Sequence, residues 1–300
     1  MDINSSNLQM LYQAFNAKFQ EGFNSLGDGP SLYETLCTVV PSTTSAEVYP
    51  WLQSLPRMRE WIGERVIHGL SENEFSIKNR KFELTAGVPR DKIEDDTFNQ
   101  YGITFQEFGR QGREHPNELT AEVLVNNPIC YDDQQLFDSD HPVLDEKGNE
   151  VSVSNDMGGS GAAWYVMDLS RAIKPLIFQK RRDYGFRTLT DLNSHHVFMT
   201  DEFLFGTDGR VNAGAGLWQL IVRSRQPLTP ENYEAARSQL QNITGDYGKQ
   251  LALRHTHTMV PGNMEGAALR ILNNSMNAAG ATNEWAGTST LIKNPWLPAA

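Results

Sequence analysis

The chain has 300 residues, 39% of them apolar, with 26 Lys and Arg against 37 Asp and Glu and a formal net charge of −11. That length allows one large domain or two modest ones with real cores, and no apolar run approaches the roughly 18 residues that a membrane span needs. The acid excess opposes tight nucleic-acid binding, which rests on neutralising phosphates with Lys and Arg, so any DNA nearby is expected to be enclosed rather than gripped.

The opening stretch, MDINSSNLQMLYQAF, has no basic n-region, compact apolar h-region or small-residue cleavage site, so no secretory signal is expected and synthesis is expected in the cytoplasm. Leu8, Leu11, Phe15, Phe19, Phe23 and Leu26 recur every three or four residues and predict an amphipathic helix that the GDGP at 27–30 ends. Such a stripe must be covered, either by the chain's own body or by a neighbour. With the β-branched, turn-rich LYETLCTVVPSTTSAEVYP behind it, the segment 1–45 reads as an arm.

Residues 46–89 hold WLQSLPRMREWIGERVIHGL and SENEFSIKNRKFELTAGVP. Phe75 and Ile77 alternate with polar residues, Phe82 and Leu84 do the same, and KNRK between them predicts a β-hairpin. A lone two-stranded ribbon is marginal in water. Trp51 and Trp61 therefore need burial, in the parent domain or against another subunit.

From Arg90 onward, Phe98, Tyr101, Phe105 and Phe108 fall at helical spacing, with acids at the start, and Pro116 predicts a bend or restart near His115. AWYVMDLS, KPLIFQKR, HHVFMTDEFLFG and GLWQLIVRS read as strands. From about 226 the pattern changes. Thr229 and Pro230 form a cap-and-first-turn signal, and Tyr233, Ala236, Leu240 and Ile243 line the helix they open. A strand at LRHTHTMV, a helix near GNMEGAALRILNNSM and a last strand around STLIKNPWL complete a separate α+β unit over 226–300.

Chemistry-bearing motifs are sparse. Cys37 and Cys130 lie far apart without CxxC spacing and are expected as buried thiols. Asp138, Asp140, His141 and Asp145 crowd together as metal ligands would, yet they fit neither a calcium loop nor HExxH. His195 with His196, and His255 with His257, would have to join them to build a metallohydrolase. The bland alternative makes Asp138 and Asp140 turn formers ahead of the His141-Pro142 step. No phosphate-binding loop, dinucleotide fingerprint or nucleophile elbow is present, for Ser160 in GGSGA lacks the second glycine two positions on.

FDSDHPV (137–143), WYVMDLSRAIKPLIFQKRR (164–182), GLWQLIVRSRQPLTPENYEAARSQL (216–240), HTMVPGNMEGAALRILN (257–273) and NEWAGTSTLIKNPWLP (283–298) together resemble the Mu-like bacteriophage major head subunit family. The resemblance implies the α+β, tailed-phage (HK97-like) capsid fold: an N-terminal arm at 1–45, an E-loop hairpin at 46–89, a P-domain with a long spine helix at 90–225 and an A-domain at 226–300. It implies a shell subunit without enzymatic role, metal or cofactor, so FDSDHPV becomes a structural turn. It also implies self-association into pentamers and hexamers, a virion made in the host cytoplasm, DNA enclosed without sequence-specific contact, and as partners a scaffold protein, a portal and a decoration protein. Candidate subunit contacts are Phe15, Phe19, Trp51, Arg57, Arg59, Glu60, Trp61 and Arg65. The competing classes are a non-viral nanocompartment shell of the same fold and a metallohydrolase built on Asp138, Asp140 and His141.

Overall fold

The amphipathic N-terminal stripe forms the helix α1 (Ser5–Phe23). The structure is a computed structural model that describes residues 5–25, 31–49, 52, 75–95, 99–276 and 280–299. A short helix α2 (Leu32–Leu36) follows, opened by the backbone N–H of Ser31 donating to the Glu34 carboxylate at 2.8 Å. Then come strands β1 (Cys37–Pro41), β2 (Ala46–Val48), β3 (Ser76–Lys78) and β4 (Arg80–Pro89), and helices α3 (Arg90–Asp95) and α4 (Asn99–Asn126). The middle of the chain supplies β5 (His141–Leu144), β6 (Glu150–Val153), β7 (Asp156–Gly159), β8 (Trp164–Met167), β9 (Leu176–Leu189), α5 (His195–Thr200), β10 (Glu202–Ala215) and β11 (Ile221–Arg225). The last part holds α6 (Pro230–Asn242), β12 (Thr244–Gly245), β13 (Lys249–Gln250), β14 (His257–Val260), α7 (Glu265–Leu272) and β15 (Thr290–Lys293).

Two sheets organise these elements. The first has the order β1-β9-β10-β4, its centre a long antiparallel β9–β10 ribbon. Phe203, Phe205, Thr207 and Val211 alternate onto the face that α4 covers, while Leu204, Asp208, Arg210 and Asn212 point away from it, as the two-residue period of a strand requires. The second sheet runs β15-β14-β8-β11-β7. All four residues of β8, Trp164 to Met167, are buried, because α6 packs on this sheet and the rest of the core fills its other side.

The N-terminal stripe is covered by the chain itself. Leu8, Leu11, Phe15 and Phe19 join Phe105 of α4, Phe186 of β9 and Phe203 and Phe205 of β10 in one aromatic cluster. Phe15 and Phe105 have ring centroids 4.5 Å apart, and Phe15 meets Phe205 edge-on at 5.3 Å. The two helices approach to backbone contact because glycines line the crossing. A Cβ built on Gly109 would stand 2.0 Å from the Phe19 carbonyl oxygen, and one on Gly22 1.8 Å from that of Gln106.

Several expectations are corrected. Ile77 and Phe82 do not face each other across a hairpin: β3 pairs with β2, upstream of residue 49, and β4 pairs with β10. Asn79 makes the switch, its backbone N–H donating to Ser45 and its side-chain amide to Ser42 and Thr44. The helix does not restart at Pro116, since α4 runs through it. HHVFMT is helix, not strand, with the Ser194 hydroxyl accepting from the Val197 backbone N–H at its start. The unit from 226 is not self-contained, for its strands β14 and β15 belong to the same sheet as β7, β8 and β11.

Candidate functional site

The crowded carboxylates and imidazole at 138–145 are each committed to local structure. One Asp138 oxygen accepts from the backbone N–H groups of Ser139 at 2.7 Å and Asp140 at 3.2 Å, the turn bonds expected of it. Asp140 accepts from the Ser152 hydroxyl. Asp145 ties the β5–β6 turn through the backbone N–H groups of Lys147 and Asn149, both at 2.8 Å. The bonds from Asn149, first its side-chain amide, hold the Asp145 carboxyl below its ordinary range.

His141 points the other way, into the core, where it is fully buried and stacks on Trp218 with centroids 3.9 Å apart and planes 8° off parallel. Its Nδ1 lies 2.6 Å from an Asp132 carboxylate oxygen and its Nε2 3.2 Å from the Asn155 side-chain oxygen. The Asn155 amide donates to the carbonyls of Leu136, Trp218 and Ile221, which fixes its orientation. Asp132, Asn155 and Trp218 carry no signal in the sequence, because they meet His141 only through the fold. The histidine pairs at 195–196 and 255–257 stay apart from this cluster. His255 is buried beside Tyr233 and Thr258, and His195 sits on α5. Among the described residues, no three His, Cys, Asp or Glu side chains converge as a metal's ligands would. Cys37 and Cys130 are free and buried.

The surfaces a shell subunit would use are more telling. The two ends of the segment 49–75 meet at one point, where the Tyr49 backbone N–H donates to the Phe75 carbonyl at 3.2 Å. That point is pinned to the body. Tyr49 is buried and its hydroxyl donates to Gln179 of β9 at 2.7 Å, while Ile77 is buried over Gly214 of β10, whose missing Cβ would stand 2.5 Å from the Ile77 methyl. Glu47 closes the turn before β2 by accepting from the backbone N–H groups of Thr44 and Thr43 and from the Thr44 and Ser42 hydroxyls, which lowers its carboxyl to about 2. Trp51, Arg57, Arg59, Glu60, Trp61 and Arg65 lie outside the described residues. Phe15 and Phe19 are 2% and 0% exposed against the chain's own α4, so in this conformation neither ring has surface left for a second subunit.

A long helix laid on a four-stranded sheet, a second sheet beyond it and a segment whose two ends are pinned together on the body define the tailed-phage capsid fold. The solved procapsid protein of bacteriophage JBD30 superposes with a TM-score of 0.85 at 37% identity, over 98% of this chain and all of that one. The JBD30 capsid form superposes at 0.77 and 28%, over 99% of this chain and all of that one. Residues 8–297 match the model of the Mu-like prophage major head subunit gpT, and the chain belongs to that family. The major capsid protein of Escherichia phage Mu is 38% identical over 99% of this chain and all of that one, and the Mu-like prophage FluMu major head subunit of Haemophilus influenzae is 37% identical over 90% of each. This protein is thus a shell-forming head protein.

Proposed function

We propose that the chain closes through five- and six-fold rings into an icosahedral shell around phage DNA, assembled in the host cytoplasm with a scaffold protein and a portal. The observation that carries this reading is the pinned junction at Tyr49, Phe75 and Ile77, which holds both ends of a long segment at one fixed point of the body. The reading gives that segment, with Trp51, Arg57, Arg59, Glu60, Trp61 and Arg65, to contacts with neighbouring subunits, where many modest contacts add to a stable shell. The JBD30 capsid has been solved decorated with minor capsid protein trimers, which supports a decoration partner here as well. The chain carries no catalytic assignment in this reading. Electron microscopy and sedimentation of the purified full-length chain test it: closed particles are expected, and a product that stays monomeric with its scaffold present defeats it.

A further inference from the structure

One end of the β9–β10–β4 ribbon carries an unpartnered apolar knob. Val197 buries into the aromatic cluster and turns its neighbours on α5 outward, leaving Phe198 80% and Met199 65% exposed. Around the knob stand exposed carboxylates. Asp191 precedes α5, Asp201 follows it, and α3 brings Asp91 and Asp95 alongside with the single exposed Lys92 between them, since the Arg90 backbone N–H donates to the Asp201 carbonyl at 2.9 Å. None of these four carboxylates is in an ion pair among the described residues. The tip is therefore an apolar centre with an acidic rim, the layout of a protein contact.

The same ribbon has a complementary surface on the face turned away from α4. Lys81, Arg210 and Arg182 are direct cross-strand neighbours in one row, an arrangement that costs stability unless something neutralises it. Arg182 is bonded to Asp208, but Lys81 and Arg210 have no acidic partner among the described residues. Arg187, its side chain 68% exposed, lies 3.3 Å from the same Asp208 carboxylate, so two arginines share one acid there. Beside this row lies a shallow depression of about 250 Å³, lined by Glu83, Thr85, Arg187, Leu189, Leu204 and Asp208 around Gly206, so that two carboxylates stand next to the cations and the face keeps a net positive charge.

We propose that the acidic-rimmed Phe198 knob of one subunit seats on the basic, hollowed sheet face of a second copy of this chain. The inference rests on the shell-forming reading and adds to it which two surfaces meet. Charge decides the occupant. The chain carries −11 overall, so copies repel unless cations such as Lys81 and Arg210 meet carboxylates, and a row this small on so acidic a body is a poor match for nucleic acid. Because the two surfaces differ, the contact is heterologous: each subunit offers its knob to one neighbour and its sheet to another, which generates rings or open arrays rather than an isolated pair.

The test is a charge swap in the full-length chain, read as yield of closed particles by sedimentation and microscopy, with melting of the unassembled subunit as control. Asp91→Lys with Asp95→Lys reverses the tip, and Lys81→Glu with Arg187→Glu reverses the face. Each pair, and separately Phe198→Ser, is expected to lower particle yield at least tenfold with unchanged melting, and the four charge changes combined are expected to restore yield to within about twofold of wild type, because the attraction is rebuilt with opposite signs. Reversed pairs that assemble like wild type overturn the contact, as does a combined variant no better than either pair, which would mean that each surface meets some other, unrelated partner. A wild-type chain that forms no particles overturns the shell reading along with it.

Discussion

His141 is buried with its ring on Trp218 and both nitrogens against oxygens, so its removal would leave a cavity and strand the Asp132 carboxylate, which is itself nearly buried. His141→Ala is expected to lower subunit stability by ~3–5 kcal/mol, visible as a lower melting temperature. Asp138 and Asp140 sit three positions and one position before His141 yet serve an exposed turn, and asparagine keeps their acceptor oxygens. The double change to Asn is expected to stay within ~1 kcal/mol of wild type and to leave assembly intact. Finding one metal per chain that the double variant loses, together with a hydrolytic activity, would sink this account. His255 gives the pH dependence. Burial first, then the charge of Arg237, pushes its pKa from 6.5 down to about 4, so the folded protein holds it neutral while the unfolded chain takes up a proton. The stability it contributes is complete above pH 6.5 and is lost as pH falls from there to about 4, on the order of 3 kcal/mol in all. Carboxylates lose stability over part of the same range, so the measurement compares unfolding of wild type and His255→Gln at several pH values. Curves that stay parallel would remove His255 from the explanation.

At the scale of elements, the crossing of α1 and α4 depends on two helix backbones in contact. Alanine at Gly109 raises helix propensity by about 1 kcal/mol, yet its methyl would stand 2.0 Å from the Phe19 carbonyl oxygen, a backbone atom that cannot swing away. The crowding outweighs the propensity. Gly109→Ala is expected to push α1 off the body at a net cost of ~1–3 kcal/mol, seen as faster amide exchange and proteolysis within 5–25. A variant that melts higher than wild type with α1 equally protected would show that the crossing has slack. Local signals at this scale were legible: Thr229 and Pro230 opened α6 where expected, and Tyr233, Ala236 and Leu240 are its buried face. The pairing of β2 with β3 was not, because the two strands are separated by the whole segment between Val48 and Ser76 and alternation says nothing about which strand lies alongside.

For the whole molecule, the decisive question is what the segment anchored at Tyr49 and Phe75 does in the shell. Trp61→Ala is expected to remove ~2–4 kcal/mol from a subunit contact, abolishing or weakening assembly while the unassembled subunit melts as before. A large fall in subunit melting temperature would instead make Trp61 a core residue of its own chain.

The sequence by itself determined the class of protein and most element types, since long motifs in order mark the family and periodicity marks a helix or strand from neighbours a few residues away. It also determined that α1 has one apolar face. Only the tertiary structure decided that α4 and β10 cover that face, that His141 belongs to Asp132, Asn155 and Trp218, and that β14 and β15 complete a sheet begun by β7 and β8. The physical reason is common to all three. A hydrophobic stripe, a buried polar ring and an open strand edge each state a need for a partner, and many surfaces of the same chain or of another copy could meet it. Which one does so depends on distances that exist only once the chain has closed on itself.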